Sequence, residues 1–154
     1  MIKTIDITNF ESAQEVFSIQ IAAYKIEAAI IGSYDLPPLK ETIETLQNCG
    51  ESFFGYYSEE RLYGVISINI DRHVIEVCRL VVHPIFFKKG VAQALLNFIE
   101  NENKSKKLKV STATKNTPAV NFYKKNRFQL VGEKIVSEHI TLAFFEKNEK
   151  KLDR

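Results

Sequence analysis

The 154-residue chain has only two cysteines, and Cys49 and Cys78 form no closely spaced pair of the kind that holds a metal or carries redox chemistry. Reduced thiols are the expectation. Its three histidines, His73, His83 and His139, are dispersed and gain no help from the cysteines, so no metal is expected. Charge of one sign is equally scarce. With 21 Lys plus Arg against 19 Asp plus Glu, the formal net charge of +2 supplies no field that would make nucleic acid the default partner. The group Lys104, Lys106, Lys107 and Lys109 reads as a solvated helix end. Every apolar run breaks off well before membrane-spanning length, and the N-terminus lacks the basic stretch and apolar run of a secretory signal. A cytoplasmic protein without membrane association is expected. Glycine clusters are missing too: neither the dinucleotide fingerprint nor a phosphate loop ending in Gly-Lys-Ser or Gly-Lys-Thr occurs, so an ATPase would lack its defining chemistry.

What is present is a chain of 45% hydrophobic and 26% charged residues, the polarity and size of one soluble domain with a substantial core. Residues 2 to 7 alternate as a short strand. Ser12 and Glu15 suggest a capping box, and Val16, Ile19, Ala22, Ala23, Ile26 and Ala29 give the following stretch a helical apolar face that Gly32 should end. Pro37 and Pro38 can launch a second helix through Leu39, Ile43 and Leu46. Segments 52 to 58, 62 to 70 and 73 to 82 are rich in β-branched and aromatic residues and predict an antiparallel meander. A helix with Leu95, Leu96 and Ile99, a strand over 109 to 113, a short helix from Pro118 through Tyr123, and strands over 127 to 136 and 139 to 146 complete an α/β order in which helices cover a mixed sheet. Residues 1 to 147 are expected to form the domain and 148 to 154 a charged tail.

The pattern changes most sharply after Leu80-Val81-Val82-His83-Pro84, where Lys88-Lys89-Gly90-Val91-Ala92 precedes the helical run. Gly90 permits close backbone approach, and the first helical turn leaves amide hydrogens without partners. An anion such as a diphosphate fits there, favoured by the positive helix end, with Lys88 and Lys89 alongside. Taken alone, a glycine before a helix is more often just a turn device.

Read together, the stretch from Leu80 to Leu96 and the stretch Asn116-Thr117-Pro118-Ala119-Val120-Asn121-Phe122-Tyr123-Lys124-Lys125-Asn126-Arg127-Phe128 resemble the GCN5-related N-acetyltransferase (GNAT) family. The resemblance implies a mixed, mostly antiparallel central sheet flanked by helices, acetyl-coenzyme A as cosubstrate, and transfer of its acetyl group to an acceptor amine. It further implies that Phe87, Lys88, Lys89, Gly90, Val91 and Ala92 hold the diphosphate and that Leu80, Val81 and Val82 pair with the pantetheine amides. Two positions depart from the family pattern. Phe87 stands where Arg or Gln is usual, and Arg127 replaces a glycine, so Asn126 is expected to supply the left-handed backbone at the helix exit.

Direct attack by a neutral amine needs an oxyanion donor, for which a backbone amide near Val81 and Val82 is placed, and an acid for the leaving thiolate. Tyr123 is the expected acid, a role the resemblance also implies; Phe122 has no such proton. Two-residue periodicity puts Glu76, Cys78, Leu80 and Val82 on one strand face, which makes Glu76 a candidate base or ammonium ligand. Cys78 lacks the activating histidine of a nucleophile and reads as core. Asn116 and Ala119 are expected beside the cosubstrate, Asn116 also as a helix cap. Tyr34 and Asp35 are candidate contacts for a small-molecule or peptide amine. Two rivals remain at this stage: a coenzyme A-responsive binding or regulatory module without efficient transfer, and an interaction domain whose strand edges pair in a homodimer. Homodimerisation is compatible with all three readings.

Overall fold

The computed structural model describes residues 1–149, which form the elements β1 (Ile2–Ile5), α1 (Phe10–Ile31), α2 (Ile43–Gln47), β2 (Ser52–Ser58), β3 (Arg61–Asp71), β4 (Val74–Val82), α3 (Val91–Glu102), β5 (Lys107–Ala113), α4 (Thr117–Lys125), β6 (Gln129–Ser137) and β7 (Ile140–Lys147). The strands make one sheet in the order β1-β2-β3-β4-β5-β7-β6. All neighbours run antiparallel except β4 and β5, which are parallel. This is the mixed, mostly antiparallel sheet that the sequence order predicts. No helix among the described residues is long and apolar enough to cross a membrane. β7 ends at Lys147; of the expected tail, residues 150 to 154 lie outside the described residues.

Helices lie on both sides of β3, which explains why its central residues are buried on alternating and non-alternating positions alike. On one side, Val16 and Ile19 of α1 and Leu46 of α2 pack with Phe53, Val65 and Val81. On the other, Leu95, Leu96 and Ile99 of α3 pack with Ile66, Ile68, Ile75 and Val77. Both cores are dominated by β-branched and leucine side chains, each worth roughly 1.5–3 kcal/mol when removed from water.

Two boundaries differ from the sequence expectation. Asn9, not Ser12, caps α1: its Oδ1 accepts the Ser12 N–H at 3.0 Å, so Ser12 sits inside the first turn and contributes its backbone. The predicted second helix is broken. Pro37–Leu39 form a single tight turn, and α2 starts only at Ile43, where Thr42 and Thr45 bond reciprocally as a capping box. Thr42 must be extended to cap, and the break leaves Lys40 to Thr42 as a loop able to turn inward.

Candidate functional site

Strands β4 and β5 pair from Val74 opposite Lys107 to Val77 opposite Val110, and there the pairing stops. At the same place the β3–β4 register slips: Ser67 faces Arg79 and Ile68 faces Val77, so Cys78 has no partner across the ladder. An extra residue of this kind bends the strand away from its neighbour and reverses the alternation of side chains beyond it. The core assignments record the reversal. Ile75 and Val77 pack on the α3 side, and so do Leu80 and Val82, while Val81 belongs to the α1 side. The expected common face of Glu76, Leu80 and Val82 is therefore corrected. Glu76 lies on the opposite face, in a separate depression with Lys109, Ser111 and Glu133.

Past Val77 the two strands diverge, and a cavity of about 510 Å³ opens between Cys78–Leu80 on one wall and Val110–Ala113 on the other. The His83 N–H donates to the Tyr63 carbonyl at 3.0 Å. That bond fixes the parity of β4, so Val81 turns its backbone to β3, whereas Leu80 and Val82 turn theirs toward the gap. An extended ligand can pair with those two residues. Cys78 lines the same wall, but burial pushes its thiol up to about 12, which keeps the sulfur protonated and unreactive.

At the upper end of β4, Lys88 and Gly90 both take left-handed backbone, with φ of 63° and 76°, and no side chain caps α3. The first helical bond back to the turn runs from the Ala94 N–H to the Gly90 carbonyl, which leaves the amides of Val91, Ala92 and Gln93 as free donors. Val91 is buried and anchors this turn, made possible because Gly64 lies beneath it: a Cβ there would come within 2.9 Å of the Val91 side chain. Phe87 differs from expectation, since its N–H is already bonded to the Pro84 carbonyl and its ring is largely exposed. The unpaired donors of this turn are accordingly the amides of the helix start, with Lys88 and Lys89 exposed beside them.

Helix α4 delivers Tyr123 to the floor of the cavity, 6% exposed and ringed by Phe122, Phe128 and Phe145. Asn116 caps the helix by accepting from the Ala119 N–H, and both residues line the cavity. The exit is set by two bonds, from the Phe128 N–H to the Tyr123 carbonyl and from the Arg127 N–H to the Lys124 carbonyl. This Schellman arrangement requires a left-handed residue at position 127. Arg127 itself adopts it, with φ of 69°, while Asn126 stays right-handed; the expected role of Asn126 is corrected. Asn126 instead exchanges amide bonds with Gln93 on the first turn of α3, tying the two helices together.

A cavity lined by Leu80, Asn116 and Tyr123 lies along the opened edge of β4, the strand that leads into the turn before α3, and a profile of the Acetyltransferase (GNAT) domain matches residues 21–148. The chain belongs to the GNAT acetyltransferase family. It is 40% identical over 134 residues to the UPF0157 protein YqkA of Bacillus subtilis, covering 86% of this chain; the chain spans 39% of that protein's length. Among solved structures it is similar to the PaiA N-acetyltransferase of Thermoplasma acidophilum in complex with coenzyme A, with a TM-score of 0.78 and 19% identity over 96% of this chain and 99% of the other. It is likewise similar to the ribosomal-protein-S18-alanine N-acetyltransferase of Escherichia coli, with a TM-score of 0.79 and 11% identity over 99% of this chain and 96% of the other. These two likenesses are of fold.

In this GNAT domain the remaining wall of the cavity is the part that sequence reading missed. Arg79, beyond the bulge, donates to Glu51 at 2.8 Å, to Gln20 at 2.7 Å and to Glu41, so it clamps β4 to the loop before α2, to α1 and to the start of β2. Gln20 also donates to the Pro38 carbonyl at 3.2 Å, which holds the turn between α1 and α2 against the cavity. Burial pushes the Glu51 carboxyl up, but the bonds from Arg79 and Ser67 outweigh it and hold the group below its ordinary value. Tyr24 and Glu27 complete the wall from α1. The only sequence signal for them was the polar row Gln20, Tyr24, Glu27 at helical spacing inside an apolar helix. Of the expected acceptor contacts, Asp35 reaches the cavity rim, where it pairs with Lys40; Tyr34 is exposed and does not line the cavity.

Proposed function

We propose that this GNAT domain transfers an acetyl group from acetyl-coenzyme A to an acceptor amine by direct attack of the amine on the thioester. The observation that carries the reading is the divergence of β4 from β5 at Cys78, which opens the edge of β4, the strand that runs on to the α3 turn, beside a cavity that Leu80, Asn116 and Tyr123 line together. Amides of Val91, Ala92 and Gln93, with Lys88 and Lys89, hold the diphosphate; the backbone of Leu80 and Val82 receives the pantetheine; Asn116 and Ala119 border it. The cosubstrate supplies an activated acyl carbon.

The protein's own work is then to hold that carbonyl against a fixed donor and to manage protons. A backbone N–H on the open side of Leu80 and Val82 favours the developing oxyanion over the ground-state oxygen, because it is already oriented and sits in a site of low dielectric. Burial first, and then the nearby Glu27 charge, raise the Tyr123 phenol above its ordinary value, so it enters turnover protonated. A protonated phenol donates to the departing sulfur, and no side-chain nucleophile is required.

The test is Tyr123→Phe, which removes one hydroxyl from a side chain that is otherwise held by its ring. Acetyl-coenzyme A affinity by calorimetry should stay at the wild-type value, while coenzyme A release with a saturating amine should fall on the order of 10²–10⁴-fold. Equal turnover would reject the acid role, and absence of acetyl-coenzyme A binding by the wild type would reject the transferase reading.

A further inference from the structure

Glu27 sits on the face of α1 that borders the cavity, opposite Tyr123 and next to Asn116. The titratable side chains around the cavity are Tyr24 and Glu27 from α1, Asp35 and Lys40 from the following turn, Cys78 and Arg79 from β4, and Tyr123 from α4. Their charges are largely settled among themselves. Asp35 pairs with Lys40, and Arg79 pairs with Glu41 and Glu51. Glu27 differs. Asn116, a neutral amide, lines the cavity with it, and among the described residues Glu27 takes part in no ion pair. Asn116 spends its Oδ1 on the helix cap, which leaves its N–H group as the polar donor not used there.

A half-buried carboxylate that lines a cavity and has no cation is incomplete as a structural ion pair and complete as half of a ligand site. We infer that Glu27 receives the ammonium group of the acceptor amine and takes its proton, the acceptor entering beside Asp35 and the Pro37–Pro38 turn. This inference deepens the transferase reading and rests on it. Burial raises the Glu27 carboxyl above its ordinary value, the Asn116 amide opposing, and a raised carboxyl is the stronger base.

The protons and electrons balance. Glu27 takes one proton from the ammonium, which frees the nitrogen lone pair. The nitrogen bonds to the thioester carbon and the carbon–sulfur bond breaks. The second proton, carried by the nitrogen after attack, replaces the one that Tyr123 gives to the leaving sulfur. The proton on Glu27 returns to solvent with product release. Glu76, on the far face of β4, is not part of this path.

The experiment compares wild type with Glu27→Gln and Glu27→Asp, using spermidine, lysine, kanamycin and an alanine-initiated peptide as acceptors, with coenzyme A release and product mass as readouts. For whichever amine the wild type acetylates, Glu27→Gln should lower kcat/KM on the order of 100-fold or more and abolish the acidic limb of its pH profile, and Glu27→Asp should restore part of the rate. Acetyl-coenzyme A binding and the thermal midpoint should be unchanged or higher, because removing an unpaired carboxylate relieves the fold. A Glu27→Gln enzyme with wild-type kcat/KM and pH profile would overturn the inference alone. A wild type that binds acetyl-coenzyme A yet acetylates none of the amines would overturn the transferase reading and the inference with it.

Discussion

The two halves of β4 carry similar side chains and do opposite work. Val74–Val77 is paired on both edges, with Ile75 and Val77 sealed beneath α3. Arg79–Val82 is paired only with β3, and Cys78–Leu80 line a cavity. One unpartnered residue, Cys78, separates them. An open edge presents unpaired N–H and C=O groups, a template on which an extended segment can pair. The lesson is that hydrophobicity alone does not tell the structural half from the functional half; backbone pairing does.

The largest expected effect breaks this division. Arg79 lies in the open half, yet Arg79→Met strands Glu41 and Glu51 without their cation and should cost about 3–5 kcal/mol in urea unfolding. The pH dependence follows from sign. Because the Glu51 carboxyl is held low, its stabilisation is present above the ordinary value of 4.5 and is lost as pH falls through the depressed one. In Arg79→Met the lowering by Arg79 is lost while burial and the Ser67 bond remain, so the Glu51 carboxyl rises and the gap between variant and wild type should narrow in acid.

Next, the division is sharpened by a matched pair. Ile75→Ala in the closed half should cost about 2–5 kcal/mol and leave acetyl-coenzyme A affinity intact. Leu80→Ala, half-buried in the open half, should cost about 1 kcal/mol and weaken that affinity, as read by calorimetry beside unfolding curves. The smallest effect is a gain. Arg127→Gly relieves the left-handed backbone behind Tyr123 and should stabilise by about 1 kcal/mol with transfer unchanged. A loss of activity there would show that the Arg127 side chain has work of its own.

Much of the site was legible because it is local. The strand, turn and helix from Leu80 to Leu96 are written in consecutive residues, and the Asn116 cap followed by Tyr123 is a short-range pattern as well. Glu76 was misplaced for a physical reason: periodicity predicts a face only while the ladder is regular, and a bulge resets the phase without any composition signal at Cys78. Asn126 was misplaced because its tolerance of left-handed backbone suggested a role that the Schellman bonds assign to the next residue. Arg79 and Glu27 were not found, since a charged residue on a strand or helix reads the same whether it meets solvent or distant partners.

The sequence by itself determined the order of elements, the glycine turn that opens α3 and the capped helix that carries Tyr123, because turn chemistry and side-chain periodicity act over a few residues. Only the tertiary structure decided where β4 leaves β5, which face Glu76 occupies, and that Arg79 is neutralised while Glu27 is not. Those outcomes depend on groups far apart in the chain, such as Gln20 and Arg79, meeting in a medium where each charge must find a partner or keep a place for one.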